Sequence, residues 1–195
     1  MPKCNTGCGC SRDRSEYAFE RDGVVPDILT LSKTLGAGLP VAAVVTSEAI
    51  EQQCYERGFL FFTTHASDPL AATIALAVMN VIERDGLADR ARHLGELMAS
   101  QLREVQDRCH VVADTRGRGL LQGVELGSSA ETSTPDEDLG RRVTEICLER
   151  GLHVNIAQLP GLGGVLRIAP PLTISETEMT NGLEILAGAI AEVSR

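Results

Sequence analysis

Apolar positions along this chain recur in two rhythms, and the switch between them marks out its elements. Ile28 to Leu31 and Val41 to Thr46 are short β-branched or leucine-rich runs, bounded by Pro26 and by the Gly36-Ala37-Gly38-Leu39-Pro40 turn. Runs of that length between turn residues predict buried strands. Ser47 stands where an N-cap would for a helix through Tyr55, with Glu51 placed to complete a capping arrangement. Phe59 to Thr64 is aromatic and β-prone, and Asp68-Pro69 then opens an alanine-rich helix to about Arg84. An aspartate cap followed by proline in the first turn is a strong start signal.

Asp85-Gly86 breaks that helix, and a second long amphipathic helix is predicted from Leu87 to about Arg108. Its Leu94, Leu97, Met98, Leu102 and Val105 fall at helical spacing, as a core-facing stripe does. Val111 to Asp114, Leu120 to Leu126, Leu152 to Ile156 and Val165 to Ile168 read as strands. Helices at about Glu137 to Arg150 and Glu176 to Glu192 surround them, and Gly127 to Asp138 reads as a polar loop. Residues 1–16 show no periodicity and read as loop. The pattern divides the chain into a βαα piece over residues 17–84 and an α+β unit over residues 85–195. The fold class is α/β.

Composition narrows the class of function. A hydrophobic content of 43% is ordinary for a globular chain that buries a core. The formal net charge of -9 argues against nucleic acid or an anionic membrane surface as partner. No apolar run approaches the ~20 residues of a membrane span. Residues 1–14 lack the apolar centre of a secretory signal, so the expected location is cytoplasmic. Cys54, Cys109 and Cys147 are scattered, as small core residues or free thiols are. Cys4, Cys8 and Cys10 are clustered but lack the paired Cys-x-x-Cys spacing and fourth ligand of a structural zinc site.

Lysine usage changes the picture most. Against 16 arginines there are two lysines, Lys3 and Lys33, so positive charge alone is supplied by arginine. Lys33 ends the run Asp27-Ile28-Leu29-Thr30-Leu31-Ser32 and precedes a glycine-rich turn. A desolvated lysine can lose its proton and act as a nucleophile, which arginine cannot. Lys33 is therefore a candidate Schiff-base former; the alternatives are a snorkelling surface lysine and an arginine-biased genome that left two lysines by accident. Thr63 and Thr64 lie just before a helix start, where hydroxyls and amides can take a phosphate, although Asp68 could be an N-cap only. His65 by itself reads as structural. Arg167 is the one charged residue in the apolar run Val165 to Ile168, and suits either a substrate carboxylate or a structural ion pair. Gly117-Arg118-Gly119 reads as a basic turn.

Together these segments carry a resemblance. Pro26-Asp27-Ile28-Leu29-Thr30-Leu31-Ser32-Lys33 with Gly36-Ala37-Gly38 is similar to the cofactor-lysine segment of the class III aminotransferases of pyridoxal-phosphate fold type I. Thr63-Thr64-His65-Ala66-Ser67-Asp68-Pro69 resembles the 2,2-dialkylglycine decarboxylase branch more than the Ser-Thr-Phe-Gly-Gly-Asn-Pro sequence common in the class. Asn155-Ile156-Ala157-Gln158-Leu159-Pro160-Gly161 and Arg167-Ile168-Ala169-Pro170-Pro171 point the same way. The likeness runs from about Asp22 to the C-terminus.

The resemblance implies the C-terminal part of a fold type I large domain followed by an α+β small domain. It implies that Lys33 forms the Schiff base with pyridoxal 5'-phosphate and that Arg167 holds the substrate carboxylate. Thr64 would reach the phosphate of a neighbouring subunit's cofactor, so a homodimer or dimer of dimers is implied. Thr64, Ala66 and Asp68 would bind an alkali cation, K+ or Na+, whose hard-cation chemistry suits oxygen ligands. The implied reaction is decarboxylation of a dialkylglycine, then passage of the amino group to an oxo acid such as pyruvate; plain transamination and a non-catalytic role are the alternatives. The family's glycine-rich phosphate cradle, its ring-stacking aromatic and its Asp-Glu-Ala/Val segment have no counterpart here, where the stretch before the lysine begins Met1-Pro2-Lys3-Cys4-Asn5-Thr6-Gly7. The chain is thus expected to be incomplete alone and prone to aggregate through exposed sheet edges.

Overall fold

The computed structural model describes residues 17–129, 132–156 and 164–194. Cys4, Cys8, Cys10 and the 157–161 part of the family-like segment lie outside the described residues. Two compact units are formed, Met1–Asp89 and Arg90–Arg195.

In the first unit, β1 (Ile28–Ser32) and β2 (Ala42–Thr46) pair antiparallel, Ile28 opposite Thr46 and Ser32 opposite Ala42. A 3-10 turn, Lys33–Gly36, joins them by way of the Gly38-Leu39-Pro40 corner. The Thr46 hydroxyl donates to the Asp27 carbonyl at 2.8 Å and closes the open end of the pair. Two helices follow, α1 (Glu48–Glu56) and α2 (Pro69–Arg84). Ser47 caps α1 by accepting from the Ile50 N–H at 3.4 Å. Isoleucine, not an acid, holds the third helical position, so Glu51 lies one residue too far along to reciprocate. Phe59 to Thr64 forms no strand: its backbone is irregular and its side chains are exposed.

The expectation of buried strands is corrected here. In β1 only Leu31 is buried, and β2 buries none of its residues. Leu31 and Leu35 are the buried side chains on this sheet and its turn. A two-stranded sheet has too few neighbours to cover both of its faces.

The second unit begins within α3 (Leu87–Arg108) and is organised by one antiparallel sheet. Its strands are β3 (Val112–Arg118), β4 (Leu121–Ser129), β6 (Asn155–Ile156) and β7 (Val165–Ile168), in the order β3-β4-β7-β6. A short β5 (Thr132–Pro135) pairs with β4, so the stretch expected to be loop contains a strand. Its polar Ser/Thr composition hid it, because an edge strand needs no apolar face. β6 is shorter than expected and β3 runs four residues longer, to Arg118. The helices α4 (Glu137–Glu149) and α5 (Glu176–Val193) pack on each other.

From Leu121 to Leu126 the residues of β4 alternate, with Gln122, Val124 and Leu126 buried and Leu121, Gly123 and Glu125 half-buried, as a sheet with one covered face requires. Met98 and Leu102 of α3, Val143 of α4, Leu166 of β7 and Ile190 of α5 complete a fully buried core with Leu126. Each such side chain contributes about 1.5–3 kcal/mol relative to exposure. Ser175 and Glu178 cap α5 reciprocally, the Ser175 hydroxyl accepting from the Glu178 N–H and the Glu178 carboxylate from the Ser175 N–H. The second unit closes its own core, whereas the described residues of the first bury only Leu31, Leu35 and Leu87 among their apolar side chains.

Candidate functional site

Lys33 follows directly on the last residue of β1, and the backbone turns sharply there. Its φ is 61°, in the left-handed region that costs an ordinary residue about 1–2 kcal/mol. Ala37 at 47° and Ser67 at 61° are the other non-glycine residues with positive φ among the described residues. All three lie in the lysine segment or in the Thr63–Asp68 turn. Strain held by non-glycine residues persists where the surroundings over-determine it, and it gathers at functional segments. The Lys33–Gly36 turn also packs against α2, the helix that the Thr63–Asp68 turn opens. The Lys33 side chain is exposed, so the desolvation expected of a strand-end lysine is not supplied by the described residues.

The turn before α2 is built by its own polar groups. Thr63 Oγ1 accepts from the His65 N–H at 3.4 Å, and its carbonyl accepts from the Ala66 N–H at 3.0 Å. Asp68 Oδ1 accepts from the Leu70 N–H at 2.9 Å, and its Oδ2 lies 3.6 Å from His65 Nδ1. The α2 N-terminus is thus already met by a carboxylate and a proline. Asp68 is the N-cap of α2, and one N–H of the helix start is already taken by its carboxylate. The Thr64 hydroxyl is exposed and makes no bond among the described residues, leaving it as the group able to reach an anion.

Arg167 is on β7 in the second unit, opposite Gly123 of β4 and Asn155 of β6. It is exposed, and its guanidinium has no ion-pair partner among the described residues. The structural ion pair offered as its alternative role is therefore not made by them. A largely apolar cavity of about 440 Å³ is lined in part by Arg167, with His153, Ile168, Pro170, Glu178 and Met179.

One charged group escaped the sequence reading. Arg116 of β3 lies opposite Gly123, in the same cross-strand row as Arg167. Its guanidinium donates to Asp114 at 2.6 Å and to Glu125 at 2.7 Å, and these bonds raise its pKa while burial opposes them weakly. Ending β3 at Asp114 concealed this row. Gly117 and Arg118, expected in a basic turn, belong to β3, and the turn is Gly119 and Leu120 alone.

By donor type, the Lys33 amine suits an aldehyde, the Thr64 hydroxyl a phosphate and the Arg167 guanidinium a carboxylate. Lys33 and Thr64 lie in the first unit and Arg167 in the second. Among the described residues no cluster of three or more His, Cys, Asp or Glu could hold a metal ion, and no helix is long and apolar enough to cross a membrane.

The family model for aminotransferase class-III matches residues 4–190. An uncharacterized aminotransferase of Schizosaccharomyces pombe is 50% identical over 190 residues, 97% of this chain and 42% of that protein. A leucine/methionine racemase of Thermococcus litoralis is 38% identical over 95% of this chain and 40% of its own length. Among solved structures, a Bacillus anthracis aminotransferase superposes with a TM-score of 0.86 at 32% identity, covering 95% of this chain and 43% of that one. The chain spans less than half the length of the relatives it matches. The fold is that of pyridoxal phosphate-type transaminases, and the chain belongs to the class III aminotransferases.

Proposed function

We propose that this chain contributes Lys33, Thr64 and Arg167 to a class III site that moves an amino group between an amino acid and an oxo acid. The observation that carries this reading is the confinement, among the described residues, of the left-handed non-glycine residues to the Lys33–Ala37 and Thr63–Asp68 segments. Lys33 would hold pyridoxal phosphate covalently through Nζ and, once displaced by substrate, carry a proton on the same nitrogen. Thr64 would donate its hydroxyl to the phosphate of a partner's cofactor, in a homodimer or dimer of dimers. Arg167 would orient the substrate by its carboxylate with paired N–H donors. Bound pyridoxal phosphate supplies the electron sink for the chemistry.

Within that reading the Thr63–Asp68 sequence favours decarboxylating transamination of a 2,2-dialkylglycine with pyruvate as acceptor. An alkali cation would then sit on oxygens of Thr64, Ala66 and Asp68. A second reading, a binding module without catalysis, is favoured by the exposure of Lys33, since an exposed ammonium is a poor nucleophile.

The test is an absorbance titration of the chain with pyridoxal phosphate, borohydride reduction, and peptide mapping, repeated on Lys33→Ala. A saturable band, fixed by borohydride on Lys33 and lost in the variant, is the expected result. Equal labelling of the variant would sink the catalytic reading. Carbon dioxide released from 2-aminoisobutyrate separates the decarboxylating branch from plain transamination.

A further inference from the structure

Two acids stand near Arg167, and each is held by another group. Arg116, Gly123 and Arg167 are direct cross-strand neighbours on β3, β4 and β7, so they share one face of the sheet. It is the face opposite to that of the buried Gln122, Val124 and Leu126. Glu125 lies two residues along β4 on the same face, diagonal to Arg116 on one side and to Arg167 on the other. Diagonal neighbours are about 7–8 Å apart at the backbone, within reach of long side chains. Arg116 Nη1 donates to Glu125 Oε2 at 2.7 Å and to Asp114 Oδ2 at 2.6 Å. Asp114 is on β3, with β4 between it and Arg167. The second acid, Glu178, lines the same cavity as Arg167 and accepts from the Ser175 N–H at 2.9 Å and the Ser175 hydroxyl at 2.6 Å.

The Glu125 side chain is 15% exposed, against 53% for Arg116. A carboxylate so largely covered keeps its charge only beside a cation or hydrogen-bond donors. Two guanidinium groups flank it, and it holds one of them. Gly123 between them carries no side chain, and a methyl group built there would meet nothing closer than the Arg116 carbonyl at 3.6 Å. Nothing at that position screens Glu125 from Arg167. We propose that Arg116 is a positioning residue, which by holding Glu125 keeps the Arg167 guanidinium unpaired and open to an external carboxylate. Without Arg116, Glu125 turns past Gly123 to Arg167 and closes that guanidinium from within the sheet. Loss of Arg116 thus blocks a group that Arg116 does not touch. A merely structural ion pair would lose stability when broken but would not transfer its acid to Arg167. That the external carboxylate is a substrate's rests on the function proposed above; the pairing of Glu125 does not.

Labelling of Arg167 by phenylglyoxal in the full 195-residue chain, followed by peptide mass, reads whether its guanidinium is free, because an ion-paired guanidinium reacts more slowly. In Arg116→Ala the rate at Arg167 should fall about threefold or more, the scale of a partly exposed ion pair. Adding Glu125→Gln to that variant should restore the parent rate, and Glu125→Gln alone should leave it unchanged. Arg116→Lys, which keeps a cation beside Glu125, should retain most of it. Circular dichroism reports whether each variant is folded; if Arg116→Ala is not, Arg116→Gln takes its place with the same expectation. An Arg167 rate equal to the parent's in the folded neutral variant overturns the proposal. Slowing that Glu125→Gln fails to relieve overturns it as well, since the acid is then not the cause. In the parent, pyruvate should slow labelling at Arg167 more than chloride at equal ionic strength. Absence of that protection would sink the carboxylate role of Arg167 while the Glu125 pairing is decided by the variants, so the two failures are distinguishable.

Discussion

Gly95 and Gly119 touch backbone to backbone. A methyl group built on Gly95 of α3 would lie 2.4 Å from the Gly119 Cα, carbonyl carbon and oxygen in the β3–β4 turn. Gly119 is itself at φ 53°, first of the two residues between Arg118 and Leu121. A two-residue hairpin turn calls for glycine there. The buried Gln122 side chain donates to the Gly119 carbonyl at 2.9 Å and fixes the turn from within the hairpin. Through this contact α3 is held on the sheet that contains Arg116 and Arg167.

Gly95→Ala should therefore destabilise the second unit by about 2 kcal/mol. That is a net loss even after the gain of about 1 kcal/mol that alanine brings to a helix interior. Urea unfolding followed by circular dichroism measures it. A variant as stable as the parent would show that the turn yields freely.

Strain and chemistry at Lys33 can be separated by substitution. Lys33→Gly removes the nucleophile but relieves a left-handed residue, so it should keep or raise stability by up to about 1 kcal/mol while losing the borohydride-fixed adduct. Lys33→Ala should lose the adduct without that relief. If glycine proves less stable than alanine, the turn is not held under backbone strain.

The α5 cap supplies a pH-dependent element. Hydrogen bonds from the Ser175 side chain and then its backbone hold the Glu178 carboxyl below the usual glutamate range, with burial opposing them. Because the folded pKa is depressed, this stabilisation is present above the ordinary glutamate pKa and is lost as pH falls through the folded value. Exchange of the Ser175 amide should speed up over that acid range in the parent and be flat in Glu178→Gln. Independently, Ser175→Ala should cost about 1 kcal/mol at neutral pH.

Thiol reactivity should divide by burial. Cys147 is fully buried in α4, and burial pushes its thiol up to about 11, with Arg150 opposing weakly. Cys54 is half-buried on α1. In the native protein at pH 8, iodoacetamide should label Cys54 and spare Cys147 until denaturant is added, as read by peptide mass. Early labelling at Cys147 would mean that α4 opens locally.

What the sequence determined here is local, and the reason is physical. A helix start is decided within a few residues, so Asp68-Pro69 located α2 and Leu87 to Arg108 located α3. The 3.6-residue stripe through Met98 and Leu102 likewise named core residues that the fold buries. Lys33 stood out by composition alone. Burial and register are set by what packs from far along the chain, and there the tertiary structure decided. It left β1 and β2 largely exposed and gave the polar Thr132–Pro135 stretch a partner in β4. It also aligned Arg116, Gly123 and Arg167 across three strands. No local pattern contains that row, because hairpin register links residues that composition and periodicity treat as independent.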